Sequence, residues 1–335
     1  SLTSALRHAV NESPADVLLL SGGVDSATLA ALDPRPVAIT VVLAVEEDSP
    51  RPTCGRCADW ASRPPGCGED GEYAGIVARH LELDWRLVRL SPADAMATLA
   101  DLIRLSRGYD LGLLNDIPLL AGLRHAQHLG LTRVRTGDDA DSLFGGYSYL
   151  RAEPDWGAYL TRRIPTIRPP IIRLGAALGM EISLPYLHSA VLKVARKLSR
   201  QEIATTRPGF GAFVDQFDPD LTDGDEKPWG KLVLRQVAAT LLPERIAWRP
   251  KTDLQFGAGM CQLETALAAL APPSRHEDTH GRFFNPAHRG MRVLFDRAGL
   301  TVPLPGPDEV ACDGCGAGLA PNRLHCPTCG AYLAH

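Results

Sequence analysis

Three groups of residues in this 335-residue chain have the types and spacing to do chemistry. The first is Ser21-Gly22-Gly23-Val24-Asp25-Ser26, which directly follows the apolar run Val17-Leu18-Leu19-Leu20. A Gly-Gly turn between a strand and a helix lets backbone N–H groups approach an anion with no Cβ in the way. The helix that follows points the positive end of its dipole at the same spot. Phosphate suits such a loop. Ser21 and Ser26 can donate hydroxyl hydrogen bonds, and Asp25 offers a hard oxygen ligand to the Mg²⁺ that accompanies pyrophosphate. The competing reading is a helix N-cap in a tight turn, a place that Ser, Asp and Gly all favour. The loop is not a Walker motif, which would need Gly-x-x-x-x-Gly-Lys-Ser/Thr. The second group, Thr136-Gly137-Asp138-Asp139-Ala140-Asp141-Ser142-Leu143-Phe144-Gly145-Gly146-Tyr147, is acidic and follows another strand-like stretch. In an open α/β sheet, loops at the carboxyl ends of strands converge on one crevice, so both groups are expected to face the same phosphate site.

The third group is made of cysteines, eight in all. Cys312-x-x-Cys315 and Cys326-x-x-Cys329 have the spacing of a four-thiolate zinc ribbon. A module of this size, about 311 to 335, is too small to build a core, so the metal would supply its folding energy. Four thiolates leave no open position on the ion, which points to a structural Zn²⁺. Arg323 is the ribbon's only Lys or Arg, so docking on the rest of the chain or on a protein partner is expected over nucleic-acid binding. Cys54-x-x-Cys57 and Cys67 fall in an insertion at about 46–69. They offer three thiolates to a second zinc, with Asp70 or His80 as a fourth ligand. The rival readings are a substrate-covering loop with free thiols and, less commonly, thiol catalysis. Cys261 stands alone and reads as a buried structural thiol.

The elements that must position these groups follow from periodicity. Val17–Leu20, Val37–Val45, Trp85–Leu90 and Thr132–Arg135 read as strands, and Ser26–Leu32 and Asp70–Leu83 as helices between them. Alternation of this kind predicts an α/β fold with a doubly wound parallel sheet. After about residue 150 the strand signals fade. Helices are predicted at 172–178, 189–198, 231–242, 258–270 and 288–298, so this half should be mostly helical. Thr301-Val302-Pro303-Leu304-Pro305-Gly306-Pro307 reads as a stiff linker. The expected organisation is a domain over 1–300, a Pro-rich linker at 301–310 and the ribbon at 311–335.

Net charge is −4 and the isoelectric point about 6.2, which excludes a uniformly basic nucleic-acid binder. Residues 151–200 nevertheless hold nine Lys or Arg against three carboxylates. That excess reads as solvated helix surface or, alternatively, as a local nucleic-acid contact. No apolar run approaches the ~20 residues needed to span a bilayer, and the N-terminus lacks a signal-peptide pattern. A cytoplasmic protein with no membrane partner is expected.

Taken together, the Ser21–Ser26 and Thr136–Tyr147 segments resemble the synthetase domain of asparagine synthetases and their relatives, among them β-lactam synthetases and the closing enzymes of lasso peptides. Those proteins carry Ser-Gly-Gly-x-Asp-Ser and Gly-Asp/Glu-Gly-x-Asp-Glu-x-Phe-Gly-Gly-Tyr loops. Glu181-Ile182-Ser183-Leu184-Pro185-Tyr186-Leu187-His188 is similar to the family's Glu-x-Arg-x-Pro-Phe-Leu-Asp element. Leu234-Arg235, Leu242-Pro243 and Trp248-Arg249-Pro250-Lys251 resemble its later Leu-Arg, Leu-Pro and Arg-x-Lys series. The match covers roughly residues 15–300.

The resemblance implies a sheet of the PP-loop (adenine nucleotide alpha hydrolase) type and an ATP-dependent carbon–nitrogen ligase. Such an enzyme adenylates a carboxylate, releases pyrophosphate and lets ammonia or an amine attack the acyl-AMP. By position, Ser21, Gly22, Gly23, Asp25, Ser26, Gly137 and Asp141 would bind ATP, with Asp25 and Asp141 holding Mg²⁺. Lys251 would neutralise phosphate charge, Asp138 would be the general base and Glu181 its acidic partner; for Lys251 and Glu181 the alternative is a structural ion pair. Four positions depart from the family pattern: Asp139 for Gly, Ser142 for Glu, Ser183 for Arg and His188 for Asp. The ATP half of the site is expected to be intact and the substrate side rebuilt.

The short segment before Val17 is expected to hold no glutaminase domain, so nitrogen would come as free ammonia, as an amine, or from a separate glutaminase. The carboxylate could be a small molecule, a nucleobase as in the deazaguanine amide and nitrile synthases, or a protein or RNA end. A reading from another class is an inactive nucleotide-binding scaffold that uses the ribbon to hold a partner.

Overall fold

The computed structural model describes residues 1–44, 68–147, 149–150, 153–205, 229–271, 282–321, 323 and 325–332. Cys54, Cys57 and Cys67 lie outside the described residues. The chain divides into two compact units, one of Ser1–Val42, Glu69–Val88 and Gly122–Asp253, the other of Leu43–Gly68, Arg89–Ala121 and Leu254–His335. This division differs from the linear one read from the sequence.

The first unit is organised on a five-stranded sheet in the order β3-β2-β1-β4-β5, built from β1 (Val17–Leu19), β2 (Val37–Leu43), β3 (Trp85–Leu90), β4 (Arg133–Arg135) and β5 (Glu181–Ser183). β1 pairs parallel with β2 and with β4, and β4 parallel with β5. The doubly wound class is therefore present. Its chain order reverses between β1 and β4, and at such a switch point the loops leaving two adjacent strands diverge to opposite faces and open a crevice. β1 and β2 are almost continuously buried, as strands covered on both faces must be.

β5 corrects the expectation that strands end near residue 150. It is three residues long, begins with an exposed Glu and sits at the sheet edge, so it carries neither the length nor the apolar alternation from which strands are read.

α1 (Leu2–Glu12) buries Leu2, Ala5, Leu6, Ala9 and Val10, a stripe at helical spacing, against α2 (Val24–Leu32). Each fully buried Leu or Val on such a face contributes about 1.5–3 kcal/mol. β4 is pinned from its last residue. Arg135 is fully buried, pairs with Asp33 at 2.7 Å, and donates to the carbonyl oxygens of Val10 at 3.0 Å and Ser13 at 2.8 Å. One guanidinium thus ties the strand preceding the acidic loop to the ends of α1 and α2. α3 (Asp70–Leu81) packs on α2.

In the second unit α4 (Pro92–Ser106) starts at a Ser91 cap, and α5 (Leu113–His128) runs back into the first unit's sequence. The helix expected over 258–270 is broken by Gly259 at φ 81°. The chain there forms two short helical turns and then α-helix Leu263–Leu270. That helix packs on Pro286–Arg297. Among the described residues no helix is long and apolar enough to cross a membrane.

Candidate active site

Every residue of the site described next belongs to the first unit. The loop after β1 is braced by its own hydroxyls. Ser21 Oγ lies 3.1 Å from Ser26 Oγ, the Ser21 N–H donates to Ser26 Oγ at 3.2 Å, and the Gly23 N–H donates to Ser21 Oγ at 3.3 Å. Gly22 adopts φ 71°, and a Cβ there would fall 2.4 Å from Ala74 N of α3, so only glycine permits the turn. Among the described residues no side chain caps the N-terminus of α2, so its first-turn N–H groups are open to an acceptor. Tyr186, fully buried, donates its hydroxyl to the Asp25 carbonyl at 2.9 Å and secures the loop from the opposite side.

The loop after β4 meets the first at Gly137, whose Cβ position would lie 3.0 Å from Ser26 N. Short helix α6 (Ala140–Phe144) then presents Asp141 beside Asp25. Between these carboxylates lies Lys231. Its Nζ is 2.6 Å from Asp25 Oδ2 and 2.8 Å from Asp141 Oδ1, and its side chain is only 5% exposed. Gly146 is what allows this approach, since a Cβ there would sit 1.8 Å from Asp141 Oδ1 and 2.3 Å from Lys231 Cε.

Lys251 stands at the outer edge, 3.9 Å from Asp141 Oδ1, 2.5 Å from Asp253 Oδ1 and 5.3 Å above the Tyr147 ring. Asp138 accepts a hydrogen bond from Thr136 Oγ1.

Charge is finely balanced here. Burial is the largest influence on Asp138 and pushes its carboxyl up; the neighbouring charges of Asp25 and Asp141 add to the rise. Burial likewise pushes Asp25 up in spite of Lys231. Burial opposes the charge of Asp141 too, but Lys231 and Lys251 outweigh it and hold that carboxyl below its usual range. Burial works against the Lys231 ammonium as well, and the two carboxylates override it to raise its pKa. Asp25 Oδ1 is buried and takes no hydrogen bond among the described residues. A hard cation is a fitting partner for such an oxygen.

Both lysines are positioned by buried arginines. Arg235 donates to the carbonyl oxygens of Gly230, Ala247 and Arg249, so it holds the residues flanking Lys231 and Lys251 in one bracket. Arg249 donates to the Ser21 carbonyl at 3.1 Å and pairs with buried Asp70 at 2.7 Å. Asp70, read from the sequence as a possible fourth ligand of a second zinc, is thus engaged by Arg249, while the cysteines of that site lie outside the described residues. His80 instead contacts the Leu241 carbonyl at 3.3 Å.

The structure brings together Ser21, Gly22, Gly23, Asp25, Ser26, Gly137, Asp138, Asp141 and Lys251. It does not bring Glu181 to them. Glu181 is exposed at the N-terminal end of β5, opposite Arg133 in register, whereas the site forms at the carboxyl ends of the strands. Glu181 is therefore not the partner of Asp138. Of the four departures, Ser183 Oγ reaches the Ser13 carbonyl at 3.5 Å and His188 pairs with Glu12 at 2.8 Å, both toward α1. Asp139 and Ser142 remain in the acidic loop.

Lys231 is the residue missed in the sequence, where it counted as the first residue of a helix over 231–242. It is the N-cap of helix Leu232–Ala239, at φ 61°. The signal was there: a cation at a helix N-terminus opposes the dipole, so another partner had to hold it.

In the second unit Cys312, Cys315, Cys326 and Cys329 converge, with all four Sγ atoms within 4.8 Å of one another. Cys312–Cys329 and Cys315–Cys326 are separated by 3.7 and 3.8 Å. A tetrahedral ion with ~2.3 Å metal–sulfur bonds needs ~3.8 Å between sulfurs. The ribbon is not free-standing. The Tyr109 N–H donates to the Thr328 carbonyl at 2.6 Å, and Asp110 contacts His325 at 3.2 Å, which fixes it on the turn between α4 and α5.

Fold and site define a doubly wound α/β protein whose switch point carries a glycine-rich loop and a carboxylate cluster threaded by lysine. The family model "asparagine synthase" matches residues 1–176 and 172–289, and the chain belongs to that family. It is 25% identical to asparagine synthetase B [glutamine-hydrolyzing] of Escherichia coli over 278 residues, which is 80% of this chain and 46% of that protein. It is 24% identical over 264 residues to a putative asparagine synthetase of Methanocaldococcus jannaschii, covering 72% of this chain and 45% of that one. The chain thus spans about half the length of the curated relatives it matches. Among solved structures, NMN synthetase from Francisella tularensis aligns with a TM-score of 0.27 at 18% identity, over 71% of this chain and 89% of that one.

Proposed function

We propose that the chain is an ATP-dependent ligase that adenylates a carboxylate, releases pyrophosphate and joins the acyl group to ammonia or an amine. One observation carries this reading. Two post-strand loops meet at the switch point, and they set the anion loop beside paired carboxylates and two lysines.

On this reading the N–H groups of Val24 and Asp25, at the N-terminus of α2, hold the leaving pyrophosphate. Lys251, at the mouth, neutralises the negative charge that builds there, and Lys231 keeps Asp25 and Asp141 at a fixed separation. Asp25 and Asp141 would hold Mg²⁺, which supplies charge neutralisation on the phosphates. Asp138, raised by burial and by like charges, is suited to take a proton from the attacking nitrogen near neutral pH.

The test is product analysis with Mg-ATP and ammonium across a panel of carboxylates that includes nucleobase acids. AMP and pyrophosphate in equal amounts are expected. ADP and phosphate would refute the adenylation step, and no turnover with any acid would return the chain to the scaffold reading.

For the ribbon we propose a structural Zn²⁺ held by Cys312, Cys315, Cys326 and Cys329. Metal analysis should find at least one zinc per chain. Chelation should release the ribbon from the α4–α5 turn, seen as faster amide exchange at Tyr109, because the metal supplies most of the module's folding energy. A folded protein purified without metal would refute the assignment.

A further inference from the structure

We propose that Asp139 is the recognition residue of an amine subsite, one that takes a protonated primary amine as the incoming nucleophile. The inference rests on the ligase reading for why an amine enters the crevice, and on Asp139 for where it binds.

Three observations meet at this side chain. Asp139 is 8% exposed, and its Oδ2 is buried with no hydrogen-bond partner among the described residues. Among the described residues its Oδ1 has only Arg163, at 3.8 Å, beyond hydrogen-bonding range. The residue also caps α6 at φ 66°, a left-handed conformation in which glycine is at ease and a side chain is uncommon. A carboxylate is therefore kept where the backbone favours glycine and the surroundings leave an oxygen unsatisfied. Buried acceptors are otherwise almost always paired, so a donor arriving from outside is the economical explanation.

The surroundings specify that donor. Asp138 is adjacent in the chain, and the charges of Asp138 and Asp141 act on Asp139 alongside the opposing charge of Arg163. An anion would be repelled by such neighbours. An alkylammonium group brings positive charge and several N–H donors, enough to satisfy Asp139 Oδ2 while leaving one N–H for Asp138. Ammonium is the smallest member of this class, and a primary amine on a larger substrate fits the same description. Asp139 thus binds and orients the nitrogen, and Asp138 takes the proton.

The experiment needs no knowledge of the acyl substrate. Binding of methylammonium to the full chain is followed by saturation transfer to its methyl protons, with tetramethylammonium as a probe of equal charge and no N–H. Methylammonium should bind the wild-type protein and lose at least tenfold in affinity in Asp139→Gly, with tetramethylammonium silent in both. Glycine suits φ 66°, so the variant should melt no lower than wild type, which separates a lost ligand from a lost fold. Equal methylammonium binding by the variant, no binding by wild type, or equal binding of tetramethylammonium would overturn the proposal. Because the readout is binding, its failure is distinguishable from failure of the pyrophosphate assay, which tests the ligase reading alone.

Discussion

Replacing Lys231 by methionine is expected to lower the melting temperature by roughly 10 °C and to cut pyrophosphate release by at least ~100-fold. Both effects come from one contact set. The ammonium is 5% exposed and lies within 2.8 Å of two carboxylates. Without it Asp25 and Asp141 face each other across a gap shaped by Gly146, which admits nothing larger than hydrogen. Two like charges about 4 Å apart repel by roughly 4 kcal/mol at the effective dielectric near a protein surface. Breaking a buried pair by deleting one partner costs about 3–5 kcal/mol. Millimolar Mg²⁺ should restore part of the lost melting temperature, because a divalent cation can bridge the same oxygens. A variant that melts and turns over as wild type would show that Lys231 is only filling space.

Lys251→Ala should behave in the opposite way on stability and alike on turnover. Lys251 is 22% exposed and pairs with Asp253, itself more than half exposed. Ion pairs of this kind contribute about 0–1 kcal/mol, so the melting temperature should move by no more than a few degrees. Its distance of 3.9 Å from Asp141 and its place over Tyr147 leave it free to reach an incoming phosphate. Removing a positioned charge that stabilises the transition state costs about 10²–10³-fold, and more when the charge neutralises a transferring phosphoryl group. The comparison of the two lysines carries more than either alone. Equal stability losses would mean that Lys251 is a structural ion pair, and unchanged turnover would remove it from the phosphate clamp.

The residues that met were those whose neighbours in the chain already announce their role. Ser21 to Ser26 and Gly137 to Asp141 each sit within a few residues of a strand end, so strand, turn and helix signals locate them without tertiary information. The four ribbon thiolates were legible for the same reason, since two Cys-x-x-Cys knuckles set their own spacing. Glu181 shows the limit. Its place in a motif-like string suggested a partner for Asp138, but the direction of a three-residue edge strand puts it at the far end of the sheet. No local pattern states that direction.

What the sequence by itself determined is the doubly wound class, the glycine-rich loop after the first strand, the acidic loop after the fourth and the thiolate cluster. Each is written in short-range spacing, where period, turn chemistry and ligand geometry act over a few residues. Only the tertiary structure decided that Lys231 lies between Asp25 and Asp141, that Arg235 and Arg249 hold both lysines in place, and that Asp139 keeps an oxygen without a partner among the described residues. Lys231 and Arg249 reach partners far away in the chain, and Arg235 joins two turns separated by a helix; such contacts are set by how helices close over the sheet's carboxyl edge.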